Sequence, residues 1–268
     1  MENFICLDRV AFTLFGHDIY WYGLLMCLAI VSAIVAAVIF CKKRGLSIDT
    51  PINIALICVP AGILGGRLFA VLFDSNLSIA DYLKFRDGGM SIMGCIVGGA
   101  IGIAGYTFFK VKRDKSKDIF LYFDIVCSVL LLAQAIGRWG NFFNAELYGQ
   151  AIPNGSLFAR FPFAVLVNGQ YYQALFLYES ILNLIGFVFT TQFFLHVKKD
   201  GYTTGFYFIY YGAVRTFLEN MRQPEFVLKI GSLPFSMICS IAMIVIGVVI
   251  MVIAVRRNKK RKEAERNG

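Results

Sequence analysis

Gly137-Arg138-Trp139-Gly140-Asn141-Phe142-Phe143-Asn144-Ala145-Glu146-Leu147-Tyr148-Gly149 follows a run, Ile119 to Ile136, that is almost entirely apolar. The two together decide the fold class. An apolar run of about 20 residues is long enough to cross a bilayer as a helix. The polar cluster of Arg138, Asn141, Asn144 and Glu146 then comes where that helix should leave the membrane. Ionisable groups at membrane depth are costly and usually face a cavity or a partner. A lipid-facing wall has no use for such a cluster.

The rest of the chain reads the same way. Its 268 residues are 58% hydrophobic and only 16% charged, where a soluble domain carries about 25% charged residues. The expected fold is an all-α integral membrane protein. It is a bundle of about seven transmembrane helices with a small extracytoplasmic cap, in a single polytopic domain over 1–268. The apolar runs are Ile19 to Cys41, Ile52 to Phe73, Met90 to Phe109, Ile119 to Ile136, Ala174 to Val197, Thr204 to Asn220 and Leu233 to Val255. Glycine dilutes the third and charge the sixth.

The net charge of +9 would suggest nucleic acid in a soluble protein. Here the basic residues gather in loops between spans, so no nucleic-acid partner is expected and the bilayer is. Seventeen of the 26 Lys and Arg residues fall at 42–44, at 110–117, at Lys198 and Lys199, or in the tail 256–268. By the positive-inside rule these segments are cytoplasmic. The tail then faces anionic lipid, and the N-terminus lies outside, as seven spans require. The first span reads as a retained helix, because no basic region leads into a cleavable signal. The outer segments are longer than the inner ones. In 146–172, Pro153, Asn154-Gly155, Pro162 and Asn168-Gly169 are turn signals, which predict a cap with a hairpin around Phe163 to Tyr172. The seven cysteines are scattered through apolar runs without a CxxC, which favours packing over disulfides or zinc. No metal or cofactor is implied.

The unusual ionisable residues lie at the outer ends of their spans: Arg67, Arg138 and Glu146, Glu179, and Arg215 with Glu219. Their convergence predicts a polar cavity opening outward. Tyr207, Tyr211, Arg215 and Glu219 recur every four residues and share one helix face, with Arg222 beyond them. Several arginines suit a phosphate headgroup, because guanidinium matches phosphate oxygens bidentately. Tyr20, Trp21 and Tyr22 fit an interfacial belt, and Tyr22 is also a candidate cavity residue. Gly88-Gly89, Gly94, Gly98-Gly99 and Gly102 give the third span a small-residue face, read as close helix packing or as a bend that admits a lipid chain.

The run at 137–149 closely resembles the signature of bacterial prolipoprotein diacylglyceryl transferases, a Gly-Arg-x-Gly-Asn-Phe-x-Asn-x-Glu pattern before an aromatic residue and a glycine. Tyr20-Trp21-Tyr22-Gly23-Leu24, Gly66-Arg67-Leu68, Phe176-Leu177-Tyr178-Glu179, Tyr211-Gly212-Ala213-Val214-Arg215 and Arg222-Gln223-Pro224 resemble further family motifs in the same order. The resemblance implies a seven-span enzyme of the bacterial cytoplasmic membrane. Its substrates would be phosphatidylglycerol and the lipobox cysteine of a prolipoprotein, and its product a thioether. Arg138, Arg215, Glu146 and Tyr211 would be catalytic. Arg138, Asn141, Asn144, Gly149, Tyr22, Arg67, Glu219 and Arg222 would bind the lipid. Glu146 would orient an arginine or contact the glycerol hydroxyls.

The chain departs from the family at Met93, which stands where a histidine is usual, and at Cys95, which replaces a glycine. Tyr20 stands where the family often has a basic residue, and Gln173-Ala174 where it often has His-Pro. Because Met93 cannot take a proton, Glu146, Glu219 and a tyrosine are all candidate acceptors for the thiol proton. The other readings are a divergent lipid-binding paralogue without catalysis and a transporter of an anionic solute.

Overall fold

A computed structural model describes residues 9–73, 78–83, 89–113, 118–144, 146–167, 169–197, 199–223, 227, 229–230 and 233–267. Gly88, Ala145, Asn168, Lys198 and Pro224, named above, lie outside the described residues, as do 114–117 and most of the stretch between Asp74 and Gly89.

Among the described residues seven α-helices carry the fold: α1 Trp21–Lys43, α2 Asp49–Phe73, α3 Ile92–Arg113, α4 Ile119–Phe143, α5 Leu175–Gln192, α6 Tyr202–Glu219 and α7 Phe235–Asn267. A π-helical turn, Phe193–Val197, extends α5. Six of these segments are long and apolar enough to cross a membrane, and α6 is the exception. Its Arg215, Glu219 and four tyrosines dilute a helix whose polar face is turned inward. Each boundary has a local cause. Lys42 and Lys43 complement the α1 C-terminal dipole, and Gly45, at φ 75°, turns the chain out. Asp118 caps α4 by accepting from the Phe120 N–H at 3.1 Å.

Two helices differ from the apolar runs that announced them. α1 starts at Trp21 because Ile19 and Tyr20 are held in β2 (His17–Tyr20), which pairs antiparallel with β1 (Val10–Leu14). α4 continues seven residues past Ile136, so the polar signature begins as helix. Arg138 and Asn141, three apart, therefore share a face.

The chain forms two compact units, divided within α1 and within α4. Residues 37–126 contain α2 and α3. These two helices run backbone to backbone: a Cβ on Gly98 would meet the Ala61 carbonyl, and one on Gly94 would meet Gly65 and Phe69. The glycine face of the third span is a close-packing surface. The other unit holds α5, α6, α7, the remainder of α1 and α4, and the small strands. Its cores are Cys127, Leu131 and Tyr207 under Phe187 and Met243, and Leu175, Val214 and Leu218 under Tyr178 and Met221. Small residues again allow close approach where α6 meets α7, with Gly205 against Gly247 and Gly212 against Ser240.

The expected hairpin is present as β4 (Ala164–Val167) and β5 (Gln170–Gln173), and β3 (Ala151–Ile152) joins the other edge of β5. A further pair, β6 (Lys229–Ile230) and β7 (Leu233–Pro234), precedes α7. The six described cysteines are free thiols.

Candidate active site

The site lies in the unit built from α4, α5 and α6. Glu179, one turn into α5, is 4% exposed. A lone buried carboxylate would be prohibitively costly, so its two oxygens are paired. Oε1 meets Arg138 Nη2 of α4 at 2.6 Å, and Oε2 accepts from Arg215 Nη1 of α6 at 3.1 Å. Tyr211, one turn before Arg215, sets its hydroxyl 3.5 Å from both Arg138 Nη2 and Glu179 Oε1. Three helices are tied together at one carboxylate.

The i, i+4 pair expected on α6 is present but loose. Arg215 Nη2 stands 3.8 Å from Glu219 Oε2, and Arg222 Nε stands 3.7 Å from the same oxygen. Glu219 is 6% exposed, and neither of its oxygens has a hydrogen bond among the described residues. Just beyond α6, burial pushes the Arg222 guanidinium below its ordinary value, and the adjacent Arg215 pushes it the same way. Arg222 nevertheless stays cationic at any physiological pH.

On the other side of Arg138, Nη1 donates to Asn141 Oδ1 at 3.4 Å. Asn141 passes the chain on, its Nδ2 donating to Glu146 Oε1 at 2.9 Å, and Asn144 Nδ2 reaches the same oxygen at 3.3 Å. Glu146 therefore reaches Arg138 through Asn141 and not by a direct ion pair among the described residues. The α4 helix ends at Phe143, and the chain turns Glu146 back onto two amides of its own last turn. Arg9 Nη2 donates to the Asn144 carbonyl at 3.2 Å.

Arg138, Asn141, Glu179, Arg215 and Arg222 line a small cavity with Leu147, Leu175, Phe176 and Leu218. An aromatic wall stands beside it, with Phe176 4.8 Å from Phe142 and 5.3 Å from Trp139 between ring centroids. Tyr22 packs against α4 at Gly140. A Cβ there would lie 2.6 Å from the Tyr22 ring, so the signature's second glycine is the seat for that ring. Gly149 has a comparable task. Its N–H donates to the Gln173 carbonyl at 2.9 Å, its backbone bridges Arg222, and a Cβ would lie 2.8 Å from Gln173 and 3.0 Å from the Met221 carbonyl. Gly149 fastens the chain beside β5 to the segment that carries Arg222. Arg67, fully buried, belongs to the other unit, where its Nη1 donates to the Gly89 carbonyl at 2.8 Å. Met93 is in that unit too, 38% exposed on α3.

A family model described as prolipoprotein diacylglyceryl transferase matches residues 9–253. The chain belongs to that family. Two similar proteins each carry the name phosphatidylglycerol–prolipoprotein diacylglyceryl transferase. The one from Finegoldia magna is 34% identical over 250 residues, 92% of this chain and 95% of that protein. The one from Clostridioides difficile is 33% identical over 262 residues, 97% of this chain and 100% of that protein. A cavity lined by three arginines has the chemistry to attract an anion with several oxygens.

Glu179 is one of the charges that the sequence sends toward an outer cavity, but no catalytic or binding role is read for it there, and the structure puts it at the centre. The available signal was a carboxylate inside an apolar span. Its partners are 36 and 41 positions away, beyond any helical spacing.

Proposed function

We propose that this protein transfers the diacylglyceryl group of phosphatidylglycerol to the lipobox cysteine thiol of a prolipoprotein, the first step of lipoprotein maturation. The observation that carries the reading is the meeting of Arg138, Arg215 and Arg222 around one cavity, in a chain of this family. Arg138 and Arg215 hold the phosphate. Arg222 adds the third positive charge. Asn141 and Tyr211 give neutral hydrogen bonds, and Tyr22 closes the side of α4. Glu146 and Asn144 hold the start of the cap, and Gly149 keeps it fastened to Arg222.

The sulfur attacks the sn-3 carbon of the lipid glycerol and forms a C–S bond. The bond from that carbon to the phosphate oxygen breaks, and glycerol phosphate leaves with the electron pair. Arginines aimed at the phosphate stabilise that charge without reorganising. A cysteine thiol, with an ordinary pKa of about 8.5, is more acidic in a cationic site. Of the three candidate acceptors for its proton we assign Glu219. Its oxygens are free of hydrogen bonds among the described residues, whereas Glu146 is engaged by two amides and a phenol, neutral at physiological pH, must lose its own proton before it can accept one. The basic loops support an outer site under the cap at 146–172, an N-terminus outside and a cytoplasmic tail at 256–268.

The test uses purified protein in phosphatidylglycerol micelles with a lipobox peptide, and reads the peptide mass. A gain of one diacylglyceryl group that requires the peptide cysteine is expected. A folded preparation that leaves the peptide unchanged would overturn the proposal.

A further inference from the structure

Below the ionic layer lies a second polar layer. Gln134, Asn183 and Tyr207 stand four residues from Arg138, Glu179 and Tyr211, each one turn further into its helix. Gln134 Nε2 donates to the Tyr207 hydroxyl at 2.9 Å. Its Oε1 is buried with no hydrogen bond among the described residues. The Tyr207 ring stacks on that of Tyr211, with centroids 5.9 Å apart.

Asn183 is the most telling member. It is 0% exposed, and both its amide nitrogen and its amide oxygen lack hydrogen bonds among the described residues. A buried amide left unmet is costly, so such a group in a membrane helix asks for an explanation. One turn along the same face is Glu179, and helical side chains lean toward the N-terminus, so Asn183 leans toward it.

Glu179 itself stands where the substrate phosphate is to go. A carboxylate and a phosphodiester each offer two oxygens and one negative charge. Glu179 spends its two oxygens on the two arginines assigned to the lipid. We propose that Glu179 is a displaceable counter-ion. It holds Arg138 and Arg215 in place until the lipid phosphate replaces it, and Asn183 is the positioning residue that receives the displaced carboxylate. The charge around the guanidiniums is conserved by the exchange. The displaced anion is met by the Asn183 amide and by the hydroxyl hydrogen that Tyr207 retains after accepting from Gln134. An empty site thus keeps Arg138 and Arg215 paired, and a filled one avoids an unpaired carboxylate. This inference rests on the reading that the site takes phosphatidylglycerol.

The test measures binding of a short-chain phosphatidylglycerol to the full-length protein in uncharged detergent, beside its melting temperature and peptide turnover. Asn183→Leu removes the amide at nearly constant volume. It should melt no lower than wild type, because no hydrogen bond is lost from the empty state, and should bind lipid at least about 10-fold more weakly, the equivalent of one hydrogen bond to a charged group. Glu179→Gln removes the competitor and should bind lipid at least as tightly as wild type. Unchanged affinity in Asn183→Leu, or weaker affinity together with a lower melting temperature, would overturn the exchange, as would weaker lipid binding by a folded Glu179→Gln protein. If Glu179→Gln does not fold, Asn183→Leu decides alone. Wild-type protein that neither binds lipid nor modifies peptide would remove the transferase reading itself, whereas active wild type matched by Asn183→Leu would remove only the exchange.

Discussion

Truncating Arg215 to alanine separates the chemistry of the site from its architecture. The residue makes one short ionic hydrogen bond, 3.1 Å to Glu179, and one loose pairing, 3.8 Å to Glu219. Removing one partner of a buried pair costs about 3–5 kcal/mol when the other charge is left alone. Here neither carboxylate is left alone, because Glu179 keeps Arg138 at 2.6 Å and Glu219 keeps Arg222 at 3.7 Å. The loss reduces to about one charged hydrogen bond, roughly 1.5–3 kcal/mol, and the protein should still fold. Catalysis has no such reserve. A donor aimed at the charge developing in the transition state is worth about 10²–10³ in rate, roughly 2.7–4 kcal/mol. Arg215→Ala should therefore remain in the membrane with a modestly lowered melting temperature, while peptide modification in phosphatidylglycerol micelles slows at least about 100-fold. Turnover within about threefold of wild type in a folded variant would refute the assignment of Arg215 to the phosphate. Failure to fold would refute the claim that Arg138 and Arg222 keep the two carboxylates paired.

Three further outcomes are expected. Glu219→Gln should slow transfer at neutral pH, and its rate should climb with pH until the peptide thiol ionises by itself near about 8.5; a pH profile parallel to wild type would exclude Glu219 as the proton acceptor. Gly140→Leu drives a side chain into the Tyr22 ring, so a cost of about 1–3 kcal/mol in stability should accompany reduced turnover, both read from the purified variant. A cysteine placed at Asn154 in otherwise thiol-free protein should react with an impermeant reagent added to intact cells, and one placed at Glu265 should not. The reverse pattern would invert the proposed topology.

Much of this protein is legible along the chain. Membrane spans are recorded locally, because about 20 apolar residues and their basic flanks need no information from elsewhere. The hairpin at 164–173 was legible from its turn residues, and the α6 face from its four-residue repeat. Arg138 and Arg215 stood out because a charge in an apolar run needs a reason. The extent of α4 was less legible. The apolar run ends at Ile136, whereas α4 runs on to Phe143 and Gly140 is the flat surface against which Tyr22 rests.

The sequence by itself determined the membrane class, the number of helices and the presence of an arginine-rich site. Only the tertiary structure decided which charge meets which. Helical periodicity specifies neighbours three and four residues away, so it anticipated Arg215 beside Glu219 and Arg222. Those contacts are the loose ones, and the tight bonds of Arg138 and Arg215 run to Glu179 on a third helix. It likewise gave Glu146 to the asparagines, Gly149 to the junction between β5 and the end of α6, and, among the described residues, an unpaired amide to the turn beneath Glu179. Interhelical pairing depends on the rotation and depth of each helix. The packing of whole faces sets both, including the small-residue contacts of α6 with α7, and no local stretch of sequence encodes them.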